Sequence, residues 1–151
     1  MSAIITITNQ KGGVGKTTTS SALMDGLHSR GARVLGVDLD PQGSLGFCLG
    51  LDIENCATIY DVLKGAQSIK DAVMESDCGD ILPSNILLSA AELEFNRPGR
   101  EFLLKNALAE VAEDYDYIII DTPPALNVLT VNAYVAADGL VIPMAPEILS
   151  L

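Results

Sequence analysis

The stretch AIITITNQKGGVGKTTTSSALMDGLHSRGARVLGVDLD, residues 3–40, decides the fold. Its first six residues form a short β-branched run that stops at a glycine-rich turn, the pattern of a buried strand. Residues 17 to about 30 place Ala22, Leu23 and Leu27 on one helical face, and Gly31 follows as a stop signal. ARVLGVDLD predicts a second buried strand whose end carries Asp38 and Asp40. Strand, loop, helix and strand in this order make a βαβ unit, which implies a parallel sheet with a right-handed crossover.

The rest of the chain continues the alternation. TIYDVLKG and SIKDAVMES predict short helices, and GDILPS a strand with its turn. LLSAAELEF and REFLLKNALAEVAED predict two more helices, parted by the breaker Asn96-Arg97-Pro98-Gly99. YDYIIIDTPP is a steep apolar strand running into Asp121, NVLTVNAYVAAD a helix and GLVIPMAP a last strand. Without repeats or low-complexity linkers, residues 1–151 read as one α/β domain, doubly wound around a mainly parallel sheet. Such sheets bind ligands beyond the carboxyl ends of their strands, where the glycine-rich loop and the aspartate-bearing tips fall.

Composition narrows the function. The 151 residues are 48% hydrophobic, enough for one domain with a substantial core. Nine basic against twenty acidic residues give a net charge of −11. That argues against simple overall attraction to DNA or anionic lipid, though not against a local basic patch. Arg97, Arg100 and Lys105 form the one modest basic cluster, read as a solvated helix entry. With no Trp and few aromatics, no base-stacking platform is evident. Cys48, Cys56 and Cys78 are odd in number, lack CxxC spacing and read as reduced thiols. His28 reads as a helix-end surface residue, and Met24, Met74 and Met144 as core filling. The N-terminus shows no basic leader, and its apolar run is far too short to cross a membrane. The expectation is a soluble, cytoplasmic protein.

The chemistry concentrates in the first loop. The phosphate-loop pattern G-x-x-x-x-G-K-[ST] matches at Gly15, Lys16 and Thr17, while Gln10 stands at the first glycine position. Gly12, Gly13 and Gly15, with Val14 among them, let successive backbone N–H groups turn inward at an anion, and the helix that follows, opening on Thr17 and Thr18, adds its positive end. Lys16 can reach the β- and γ-phosphates of a nucleotide, and the Thr17 hydroxyl can ligate Mg²⁺. Asp38 and Asp40 face the same way if their strand stays regular, and such a pair can hold metal-bound water and orient a nucleophilic one. The alternative for both is capping or turn chemistry before Pro41. Asp121, at a buried strand tip after a phosphate loop, can reach the Mg²⁺ shell.

KGGVGKTT, with Lys11 opening the loop, resembles the deviant Walker A motif of the ParA/MinD family of P-loop ATPases. The resemblance implies that Lys11 is a signature lysine, reaching across a nucleotide-sandwich homodimer to the phosphates held by the partner subunit. It also implies a switch I at VDLDPQG, with Asp40 positioning the attacking water and Asp38 assisting the metal through water. YIIIDTPP resembles a Walker B strand, with Asp121 at the metal and Thr122 and Pro123 opening switch II. DPQGS (with Ser44 where Asn is commoner), LPSNILLSAAELEF and LTVNAYVAAD resemble ParA segments in particular. The implied protein binds ATP and Mg²⁺, hydrolyses ATP to ADP, dimerises with ATP, and serves plasmid or chromosome partition. Its implied partners are a centromere-binding ParB-like protein and nonspecific DNA, with no membrane.

Three rival readings stand beside this one. A MinD-like division-site ATPase would act at the membrane; a dethiobiotin-synthetase-like ligase would use the same scaffold; a nucleotide-binding fragment would show no turnover. Domains of the family are longer, so the resemblance also predicts a truncated chain, with the remaining sheet, the adenine pocket and the DNA-binding residues beyond Leu151.

Overall fold

A computed structural model describes residues 1–9 and 15–144. The apolar runs become strands β1 (Ala3–Ile7), β2 (Val34–Asp38), β3 (Met74–Ser76), β4 (Gly79–Leu82), β5 (Tyr117–Asp121) and β6 (Gly139–Val141). They form one sheet in the order β3-β4-β2-β5-β1-β6, parallel throughout except for the antiparallel edge strand β3. Helix α1 (Lys16–Ser29) links β1 to β2, and α2 (Ser44–Cys48), α3 (Ile59–Leu63) and α4 (Ile69–Ala72) fill the excursion to β3. Helices α5 (Ala91–Glu94) and α6 (Leu103–Ala109), each entered through a 3-10 turn, precede β5; α7 (Val128–Ala136) joins β5 to β6.

Both faces of the sheet are covered, as a doubly wound fold requires. Alternate residues of β2 and β5 serve opposite layers: Leu35, Val37, Ile118 and Ile120 pack with Leu104, Leu108, Leu129 and Ala133. Val34 and Ile119 pack on the other side with Met24, Leu45 and Ile81. Gly36 leaves the space that the end of the Met24 side chain fills, since a Cβ there would collide with its sulfur. Asn132 ties the helical layer together, accepting from the Leu104 N–H and donating to the Arg100 and Val128 carbonyls. Among the described residues, every buried side-chain nitrogen and oxygen has a partner. No helix among them is long and apolar enough to cross a membrane.

Several expectations are corrected. The buried side of α1 is Lys16, Ser20 and Met24, one turn apart, with Leu23 and Leu27 half-buried; Ala22 is exposed. Residues 68–76 are not one helix: α4 ends at Ala72 and Met74–Ser76 pairs back on β4. Ser76 closes that hairpin, its hydroxyl donating to the Gly79 carbonyl at 2.6 Å and accepting from the Cys78 N–H at 3.2 Å. β2 stops at Asp38, so Asp38 and Asp40 do not share a regular strand face. Of the methionines named, Met24 fills the core, Met74 is half-buried and Met144 is exposed. His28, Arg97, Arg100 and Lys105 are exposed, and the three cysteines are free thiols.

Candidate functional site

Parallel register brings the acidic tips together. Asp121 at the end of β5 lies level with Asp38 on β2 and with Ile7 on β1. β5 is inserted between two strands that α1 connects, so the start of α1 sits above this row. Gly15 begins the helix at φ 82°, a left-handed conformation that glycine adopts without strain, and no side chain caps the helix. The positive end of this 14-residue helix favours an anion there.

Two hydroxyls on α1 reach the β5 carboxylate. Thr17 Oγ1 donates to Asp121 Oδ2 at 2.9 Å, and Ser20 Oγ to Asp121 Oδ1 at 3.1 Å. Burial pushes the Asp121 carboxyl up to about 6; the two hydroxyls and Lys16 pull it down, and the charge of Asp40 pushes it further up. Asp38 is held well above the ordinary carboxylate range by burial and then by the charge of Asp121. Its two oxygens accept the Asp40 and Leu45 N–H groups at 3.0 and 3.2 Å. Asp40 makes a turn of its own, Oδ1 accepting the Gln42 N–H at 3.0 Å. Turn chemistry thus accounts for one role of each aspartate, and position for another: Asp40 lines the cavity, while Asp38 lies fully buried behind it.

That cavity, of about 250 Å³, is lined by Gly15, Lys16, Thr17, Thr18, Asp40, Ser44 and Pro124. Lys11, Gly12, Gly13 and Val14 lie outside the described residues. Larger hollows exist, one of about 510 Å³ by Glu92, Leu126 and Val131 and one of about 430 Å³ by His28, Arg33 and Tyr115. The smaller cavity is the candidate site because it opens at the glycine-led start of α1, beside the Thr17–Asp121 pair. The Thr17 hydroxyl at its edge and the Asp121 carboxylate bonded to it are hard oxygen donors of the kind that Mg²⁺ takes. Ser20 is a residue that the motif alone does not mark. Its signal is spacing, since four residues past Lys16 puts it on the same helical face.

A strand-tip carboxylate bonded to a hydroxyl at the glycine-led start of a helix, with a lysine beside it, is the arrangement of a P-loop nucleotide-binding protein. Comparison with known proteins narrows the class. A family model described as an AAA domain matches residues 2–151. The sporulation initiation inhibitor protein Soj of Bacillus subtilis is 46% identical, the match covering 100% of this chain and 61% of Soj. The chromosome partitioning protein ParA of Myxococcus xanthus is 45% identical, over 98% of this chain and 54% of that protein. A solved structure of cobyrinic acid a,c-diamide synthase from Mycobacterium smegmatis, with bound ATP analogue and magnesium, superposes with a TM-score of 0.93. It is 44% identical over 95% of this chain and 60% of its own. The chain belongs to the ParA/MinD family of P-loop ATPases and spans little more than half the length of these relatives.

Proposed function

We propose that this chain carries the ATP-binding and hydrolysing site of a dimerisation switch serving plasmid or chromosome partition. The observation that carries the reading is the Thr17–Asp121 pair at 2.9 Å beside a cavity that also gathers Gly15, Lys16, Thr18 and Asp40. Partition proteins among the relatives support the biological side.

In this reading the N–H groups from Gly12 to Thr18, with Gly13, Val14 and Gly15 between, hold the phosphates, and Lys16 meets the β- and γ-oxygens. Thr17 and Asp121 hold Mg²⁺, with Asp38 assisting through water. When bound, Mg²⁺ neutralises charge on the β- and γ-phosphates. Asp40 accepts a hydrogen bond from the attacking water and aims its oxygen at the γ-phosphorus. The new P–O bond forms as the bond to ADP breaks. Lys11 of a second copy adds positive charge to the transferring phosphoryl group, as an arginine finger does. A ParB-like centromere-binding protein speeds the step, nonspecific DNA is the track, and the protein works in the cytoplasm without a membrane.

Calorimetry with Mg·ADP and Mg·ATP, followed by sedimentation with ATP, tests this. On a chain extended to the length of its relatives, binding and an ATP-dependent dimer are expected; no heat from either nucleotide refutes the site. The synthase neighbour favours a second reading, a ligase that activates a carboxylate substrate. Dimerisation and turnover with ATP as sole substrate exclude it. Pelleting with DNA rather than liposomes separates partition from membrane action.

A further inference from the structure

Asp40 lies two residues past the end of β2, in a turn that no strand ladder holds. Its main chain is nevertheless gripped from both sides by buried side chains. The N–H donates to Asp38 Oδ1 at 3.0 Å. The carbonyl accepts from the Gly43 N–H at 3.0 Å and from Ser84 Oγ at 2.6 Å. Ser84 is only 1% exposed and follows β4, the strand that pairs in parallel with β2. The seat is itself anchored: the neighbouring Pro83 carbonyl takes the Ile59 N–H at 2.8 Å. Gly43, at φ 68°, presses the loop so close that a Cβ there would stand 3.3 Å from the Ser84 carbonyl oxygen.

We propose that Ser84 is a positioning residue for ATP hydrolysis: its hydroxyl fixes the Asp40 carbonyl and thereby aims the Asp40 carboxylate into the phosphate cavity. The proposal rests on the reading of Asp40 as the water-orienting group. Satisfying the carbonyl does not require Ser84, because the Gly43 N–H already does so. Burying a hydroxyl instead of a methyl group is unfavourable unless its hydrogen bond is used. What the second bond adds is direction: Asp38 holds the peptide before the Asp40 Cα and Ser84 the peptide after it, which limits pivoting of the residue between them. The Ser84 hydroxyl bonds the Asp40 carbonyl, while Asp121 is held by Thr17 and Ser20, so nucleotide affinity and the geometry of attack can be separated.

The test compares Ser84→Ala and Ser84→Thr with the unsubstituted chain. The first readout, amide hydrogen exchange without nucleotide, needs no turnover. In Ser84→Ala the Gly43 and Leu45 amides should exchange at least about tenfold faster while amides in β5 stay unchanged. The second is affinity for Mg·ADP against Mg·ADP·aluminium fluoride, a mimic of the transferring phosphoryl group. Mg·ADP should bind within about twofold of the unsubstituted chain and the mimic about tenfold more weakly, with threonine restoring both values. Unchanged exchange, an unchanged ratio of the two affinities, or a loss that threonine does not repair overturns the proposal. If a chain of the relatives' full length binds neither nucleotide, the functional reading fails, and exchange still decides whether Ser84 holds the turn.

Discussion

Asp121→Asn separates what the β5 carboxylate does for the fold from what it does for a metal. In the folded chain its carboxyl is pushed up to about 6 from an ordinary 3.8. The ionised form is therefore disfavoured by about 3 kcal/mol at pH values well above 6. Because the folded value is raised, this group's contribution to stability is greatest below about pH 4 and is lost as pH climbs through 6. Asparagine is neutral across this range and also removes the charge that pushes Asp38 upward. Against this, one of two acceptors is lost. The carbonyl can keep Thr17, while Ser20 can turn its proton to the Lys16 carbonyl 2.9 Å away. That exchange costs about 1 kcal/mol. The expected balance is a stabilisation of about 2 kcal/mol near pH 8, shrinking to zero or reversing near pH 4.5. Urea unfolding of both proteins at the two pH values, without metal or nucleotide, measures it. Added Mg·ADP should stabilise the unsubstituted chain and leave the variant unmoved. A variant less stable near pH 8, or a difference that ignores pH, refutes the account of Asp121 as a buried charge awaiting a cation.

Lys16→Ala should weaken Mg·ADP binding about tenfold to a hundredfold by calorimetry, as expected for loss of a charge-assisted phosphate contact. Lys11→Ala should bind nucleotide as before yet lose the ATP-dependent dimer in sedimentation; a variant that still dimerises and hydrolyses ATP rules out a role in the partner's site. Asn132→Ala strands the Leu104 N–H and removes both donations to the main chain, so urea unfolding should show a loss of about 2–4 kcal/mol.

What could be read from residues alone follows how local each cause is. β2 and β5 were legible because a strand buried on both faces must be a continuous apolar run, and VLGVD and YIIID are such runs. The start of α1 was legible because a glycine-rich turn followed by a helical run acts within a few residues. β3 was not: MES has no apolar alternation and becomes a strand only because β4 offers an edge and Ser76 closes the turn. The Ala22 face failed because hydrophobicity alone cannot show that Lys16 and Ser20 are drawn inward by the site above the sheet. Asp38 and Asp40 show the limit most sharply. Their spacing suggests one shared face, but the chain leaves the sheet after Asp38, so one carboxylate becomes an internal anchor and the other a cavity wall. That division depends on Ser84, forty-four residues along the chain from Asp40. LPSN offers no chemistry by itself; its serine acquires a function only when parallel pairing of β2 and β4 sets their tips side by side. A motif supplies the reactive groups, whereas their aim comes from strand order, which no local pattern encodes.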